Sequence, residues 1–256
     1  MQNEFETLNY EADGPMASIT LIRPEKLNAI AMTGVHELHK IANQIMNDKN
    51  IRIVTIKGSG RAFSTGIDLK DLANGLIEDS YFDLWDRALR CFELMDKLVV
   101  CLIHGYAIGG GLQLALAADI RVSTASAKLG LPAIKEGLIP GLGTFRLSKY
   151  IGLGRAKRLI ITGEMIDGME GERIGLIDYI VSESEKNQQF HEIIDNIAAV
   201  NSNGCRLSKS LLNKCYELGF EQFFESYKDS QATAVHSEDF KEAMTAYKQN
   251  REPVWS

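Results

Sequence analysis

Two glycine-marked stretches hold the residues best placed to do chemistry. Residues 105–120 read Gly-Tyr-Ala-Ile-Gly-Gly-Gly-Leu-Gln-Leu-Ala-Leu-Ala-Ala-Asp-Ile, with three glycines heading an apolar helix and one amide, Gln113, just inside it. Residues 61–70 read Arg-Ala-Phe-Ser-Thr-Gly-Ile-Asp-Leu-Lys, with Gly66 at a turn. Each glycine costs a helix roughly 1 kcal/mol against alanine, so a triplet at a helix start calls for a reason. Glycine lets a ligand approach the backbone, and a helix start adds unpaired N–H groups and the positive end of the dipole. Either stretch alone also fits plain turn chemistry. Together they offer backbone donors from two turns, the amides of Ile67 and Asp68 and those of the glycine-headed helix start, to one developing oxyanion. Neither matches GxGxxG or a P-loop, since no lysine follows the glycines, so a nucleotide site is not indicated.

Positioning two such turns takes a framework of buried strands. Residues 5–10 and 17–22 read as strands around Asp13-Gly14-Pro15, a hairpin-like opening. Residues 23–29 form a loop, and Val35, Leu38, Ile41, Ala42, Ile45 and Met46 recur at helical spacing. Residues 51–56 read as a strand ending at Gly58-Ser59-Gly60. Residues 69–95 are helical, with Phe82, Trp85, Leu89 and Phe92 on one side. Residues 98–103 form a short apolar run suited to a strand buried on both faces, and another strand follows at 120–123. Strand, loop and helix thus repeat as stacked β-β-α turns within an α/β fold. Residues 1–200 make the core on this reading. Residues 201–256 make a helical region, rich in Lys, Glu, Phe and Tyr, that must pack on the core or on another subunit.

The totals narrow the function. Hydrophobic residues make up 45% and charged residues 24%, an ordinary globular balance. A net charge of −6 gives no field for nucleic acid or anionic membrane. The four cysteines show no CxxC spacing and read as reduced thiols of an intracellular protein. The N-terminal residues carry acids and no apolar h-region, and no apolar run spans a membrane, so a cytoplasmic location is expected. No metal-ligand spacing is present.

The segments RPEKLNAI, RAFSTGIDLK, HGYAIGGGLQLALAADI, LGLPAIKEGLIPGLGTFRL and IGLGRAKRLIITGEMIDGMEGERIGLIDYIV resemble, in order and over nearly the whole chain, the crotonase superfamily, the enoyl-CoA hydratase/isomerase family. The resemblance implies a crotonase-like spiral of β-β-α repeats with a C-terminal helical region that builds trimers or hexamers. It implies an acyl-CoA substrate of fatty acid metabolism and no cofactor beyond the coenzyme A moiety. The thioester carbonyl would sit between the backbone N–H groups of Ile67 and Gly110. Lys26, Leu27, Ala29, Ala62, Asp68, Leu69 and Lys70 would take the coenzyme A, and Gly109 and Ala133 would line the thioester end.

The resemblance also exposes two departures. Hydratases of this family carry a glutamate where this chain has Gln113, and a second where it has Ala133. An amide can orient water but exchanges no proton near neutral pH, and a methyl group does neither. Losing general acid–base help costs about 10²–10⁴-fold, so ordinary hydration should be weak. Decarboxylation of a malonyl-type thioester needs no base, and hydrolysis or a non-catalytic thioester-binding subunit are further alternatives. Glu136, one helical turn beyond Ala133, is a relocated-acid candidate, though it reads first as a solvated residue beside Lys135. Glu78, Asp83 and Asp86 read first as surface acids, Tyr81 as packing, His104 as a hydrogen-bonded structural residue and His236 as a cap. Gln113 divides evenly between an orienting role and a satisfied inward amide.

Overall fold

The apolar run at residues 98–103 becomes the centre of a sheet because strands covered on both faces need no polar alternation. The computed structural model describes residues 5–255. Among the described residues there are nine strands: β1 Leu8–Asp13, β2 Met16–Leu21, β3 Ile53–Gly58, β4 Leu98–Ile103, β5 Tyr106–Ile108, β6 Ile120–Thr124, β7 Lys128–Gly130, β8 Ile166–Asp167 and β9 Tyr179–Val181. The helices are α1 Met32–Asn47, α2 Leu69–Ala73, α3 Ser80–Leu94, α4 Gly110–Leu116, α5 Gly143–Ile151, α6 Leu153–Thr162, α7 Gly168–Arg173, α8 Lys186–Ala198, α9 Ser202–Lys214, α10 Phe220–Val235 and α11 Glu238–Gln249. Short 3₁₀ turns occupy Pro24–Lys26 and Ala133–Glu136.

The large sheet runs β1-β2-β3-β4-β6-β9, antiparallel at the β1–β2 hairpin and parallel beyond it. The small sheet runs β5-β7-β8, and bridges at Ile30–Ile67 and Ser64–Ala107 extend its line toward the N-terminus. Each circuit of the chain therefore lays one strand in the large sheet and one short extended segment beside the small one. This is the expected spiral of β-β-α turns.

Local boundaries differ from the sequence reading where turns decide them. The first strand starts at Leu8, because Asp13 pairs with Met16 across a two-residue Gly14-Pro15 loop and sets the register. The helical stretch after Gly66 divides into α2 and α3. In α3 the buried stripe is Tyr81, Trp85, Ala88, Leu89 and Phe92, while Phe82 is exposed and meets Tyr81 edge-on. The C-terminal region is all helix, as its composition predicts. α9 is tied into the core by Lys209, whose Nζ donates to the carbonyls of Phe92 (3.1 Å) and Lys97 (2.8 Å) and pairs with Asp119 (2.8 Å), and by Asn213, whose Nδ2 donates to the Glu93 carbonyl (2.7 Å). No residue of α10 is buried, and Tyr216, Phe220 and Tyr247 are each more than 70% exposed.

Candidate active site

The first glycine turn is built by alternate amides. Extended backbone points successive N–H groups to opposite sides. The Gly66 amide donates to Ser64 Oγ (3.1 Å) and the Asp68 amide to the Ile30 carbonyl (3.1 Å). The Ile67 amide between them faces the other way and has no acceptor among the described residues. Ser64 holds this segment to β5, donating its amide to the Tyr106 carbonyl and accepting from Ile108.

The second turn is the glycine triplet. Gly109 adopts φ +53°, and its amide donates to the Gly130 carbonyl (2.9 Å). The first bond along α4 runs from the Gln113 amide to the Gly109 carbonyl, so the Gly110 amide precedes the helical ladder and likewise has no acceptor among the described residues. The two turns touch through glycine. A Cβ on Gly66, whose φ is +80°, would collide with the Gly110 amide nitrogen and stand 2.8 Å from the Ile108 carbonyl oxygen. A Cβ on Gly110 would lie 3.1 Å from Gly66 Cα and 3.6 Å from the Ile67 nitrogen. Two backbone donors from separate elements, each without an acceptor among the described residues, thus adjoin.

The loop leading to α1 flanks this pair. Asn28, buried at φ +55°, accepts from the Arg23 amide and donates to the carbonyls of Ser59 (2.9 Å) and Ala62 (2.8 Å). Arg23 pairs with Asp68 (3.2 Å), which caps α2 by accepting from the Lys70 and Asp71 amides. Burial would raise the Asp68 carboxyl, but the Asp71 amide, Lys26 and Arg23 outweigh it and hold the group below the usual carboxylate range. Of the residues expected to hold coenzyme A, Lys26, Leu69 and Lys70 are exposed and Leu27 and Ala29 partly so. Ala62 and Asp68 are buried, so their side chains build the loop rather than offer surface to a ligand. Asn28, which the sequence reading carried only as one member of the coenzyme A loop, is the residue that joins the two loops.

Gln113 lies on α4 beneath the loop entering α5. It is 8% exposed, and its Oε1 is buried with no hydrogen-bond partner among the described residues. A Cβ on Gly143 would sit 3.1 Å from Gln113 Cγ. A Cβ on Gly141 would sit 3.6 Å from Gln113 Oε1 and 3.8 Å from Asp86 Oδ2, so both oxygens face one small space. Asp86, which the sequence placed on the surface, is half-buried and held through Oδ1 by Arg146 Nη1 (3.2 Å). Arg146 is buried, and its Nε donates to Glu93 (2.5 Å). Burial raises the Asp86 carboxyl above its ordinary value, Glu93 and Asp83 add to the rise, and Arg146 opposes it.

The other candidates fall elsewhere. Ala133 opens the second 3₁₀ turn, partly buried, and Glu136 closes that turn exposed to solvent. Glu78 and Asp83 are exposed. Tyr81 is buried and donates to the Ile30 carbonyl (3.1 Å), and burial drives its phenol pKa up. His104 bonds the Gly60 carbonyl through Nε2 (3.0 Å), and burial lowers its pKa, which favours the neutral ring. His236 ends α10, and Ser237 caps α11. Trp85 stacks on Tyr81 and brings its ring edge to the glycine pair, its Cζ2 3.4 Å from a Cβ placed on Gly110. Its Nε1, two bonds from Cζ2 on that edge, is buried and unpartnered among the described residues.

Residues 11–256 match the family model described as enoyl-CoA hydratase/isomerase. The chain belongs to the enoyl-CoA hydratase/isomerase family. The short-chain-enoyl-CoA hydratase of Clostridium acetobutylicum is 32% identical over 252 residues, 97% of each chain. The crotonyl-CoA hydratase of Syntrophomonas wolfei is 30% identical over 96% of each. Among solved structures, the enoyl-CoA hydratase of Bacillus anthracis superposes with a TM-score of 0.91 at 30% identity, covering 98% of this chain and 99% of that one. The family fold is therefore the fold of this chain, and the match extends through α9, α10 and α11. None of the described helices is long and apolar enough to cross a membrane.

Proposed function

We propose that the protein acts on acyl-CoA thioesters by stabilising their enolates, with the thioester oxygen held between the Ile67 and Gly110 amides. The adjoining, unpaired donors of the two glycine turns carry this reading. Such donors act where negative charge develops and need no reorganisation at the moment of reaction. Lys26, Leu27, Ala29, Leu69 and Lys70 offer the surface for the coenzyme A portion, and no further cofactor enters the reaction. The exposed aromatics of α9–α11 support a homo-oligomer, a trimer or a pair of trimers, and the lack of a membrane-crossing helix suits a cytoplasmic enzyme.

With Gln113 and Ala133 where the family resemblance places glutamates, crotonyl-CoA hydration is expected to lag the Clostridium acetobutylicum relative by about 10²-fold or more. The donor pair is tested separately with acetoacetyl-CoA, whose acidic α-proton lets the enolate form without a catalytic base. Binding should draw out the enolate's near-ultraviolet absorbance. A protein that binds acetoacetyl-CoA with no enolate signal, or fails to bind it, would sink the proposal, and rapid crotonyl-CoA hydration would refute the acid–base argument.

A further inference from the structure

We infer that Asp86 is the group that carries the substrate proton in this chain, with Gln113 as its orienting partner. The inference rests on the enolate reading above and names the residue that would do the proton transfer. Two independent observations meet at Gly141. Asp86 Oδ2 and Gln113 Oε1 each lie within 4 Å of the point a Gly141 Cβ would fill. Gln113 Oε1 is also a buried acceptor with no donor of its own. Two acceptor oxygens facing one space call for a donor between them, a water or a substrate C–H or O–H. Gln113 stands one turn into the helix whose first amide is half of the donor pair, so that space adjoins the thioester site.

The carboxylate is built to do this. Arg146 holds Oδ1 and fixes the rotamer, which leaves Oδ2 facing the Gly141 Cβ position that Gln113 Oε1 also faces. Arg146 is itself held by Glu93, so the arginine's charge is shared between two acids and only part of it stabilises ionised Asp86. Burial and the neighbouring Glu93 and Asp83 charges shift Asp86 toward proton affinity, as a base near neutral pH requires. In the step itself, Asp86 Oδ2 takes a proton from the α- or γ-carbon of the thioester. The C–H pair becomes the enolate π system, and the negative charge moves to the oxygen between Ile67 and Gly110. Return of the same proton to the other carbon moves a double bond, whereas exchange of the Asp86 carboxyl proton with solvent before return to the first carbon leaves a solvent proton there. No other reactant is consumed. One carrier suits isomerisation and exchange, whereas syn-addition of water needs a group to activate water and another to deliver a proton.

The test is deuterium exchange at the α-carbon of butyryl-CoA in heavy water, read by mass spectrometry alongside acetoacetyl-CoA enolate binding. Asp86→Asn keeps an acceptor for Arg146 and should lower exchange about 100-fold or more and remove the acidic limb of its pH profile, while enolate binding stays within about threefold. Gly141→Ala puts a methyl group into the shared space and should suppress exchange with Asp86 intact. Exchange in Asp86→Asn at the wild-type rate, or with an unchanged acidic limb, overturns the inference. Loss of enolate binding in the wild-type protein would instead overturn the reading on which it rests. If Asp86→Asn fails to fold, Gly141→Ala decides: unaltered exchange in that variant counts against the Asp86 assignment.

Discussion

Replacing Gly66 and Gly109 with alanine, one at a time, separates backbone strain from the geometry of the donor pair. Both glycines hold left-handed φ, +80° and +53°, where an L-residue costs about 1–2 kcal/mol. For a domain of this size, that corresponds to a fall in Tm of about 2–8 °C in either variant. The added methyl groups meet different surroundings. At Gly109 the nearest atom is the Thr65 carbonyl oxygen, 3.9 Å away, an ordinary contact. At Gly66 the methyl would collide with the Gly110 nitrogen and stand 2.8 Å from the Ile108 oxygen, against comfortable separations of about 3.5–4.0 Å. The Gly110 amide must therefore retreat by most of an ångström. Misplacing one donor of an oxyanion site costs about 10²–10³ in rate. Calorimetry should show the larger Tm loss in Gly66→Ala, whose methyl adds a backbone clash to the shared strain, and acetoacetyl-CoA titration should show enolate absorbance kept in Gly109→Ala and lost in Gly66→Ala. Equal enolate binding in the two variants would refute the placement of the oxyanion between Ile67 and Gly110.

Two further outcomes follow from the same structure. Gln113→Glu sets a second carboxylate facing the space that Asp86 Oδ2 faces, so mutual repulsion should move the acidic limb of the exchange pH profile upward. Adding Ala133→Glu should raise crotonyl-CoA hydration by about 10²-fold, and a double variant that hydrates no faster would show that pocket shape, not the missing acids, limits the reaction. Lys209→Met leaves Asp119 without its cation and two core carbonyls without their donor. The expected loss is about 3 kcal/mol in denaturant unfolding, and a loss below about 1 kcal/mol would show that α9 is held mainly by other contacts.

The spiral was legible because its strands are short and apolar, and at residues 53–58 and 98–103 they are closed by glycine turns, so pattern and turn chemistry agree there. The donor pair was legible for a related reason. Backbone donors depend on where glycine stands, and Gly66 and Gly110 are visible in the sequence. Phe82 shows the limit: it lies three residues before Trp85, yet Tyr81 takes the buried position and Phe82 faces solvent. Spacing gives a helix face its width, and only packing decides which residue at its margin is covered.

Asp86 was illegible for a deeper reason. Its setting comes from Arg146 on α5, sixty positions away, and from Gly141, whose missing side chain leaves the space that both oxygens face. Nothing within α3 distinguishes Asp86 from Asp83, which is exposed and pairs with Arg87 one turn along the same helix. The difference lies in the second partner. A buried arginine must find acids, and Arg146 collects Glu93 and Asp86 from one face of α3. Had the cation been lysine, a single point charge would not have forked between two carboxylates seven residues apart. The sequence signal for this site is thus an arginine in an otherwise amphipathic helix, Gly-Thr-Phe-Arg-Leu-Ser-Lys-Tyr-Ile, on the face that carries the buried Gly143 and Leu147. That signal says an acid must come from elsewhere in the fold, and the acid it brings in shares with Gln113 the space at Gly141.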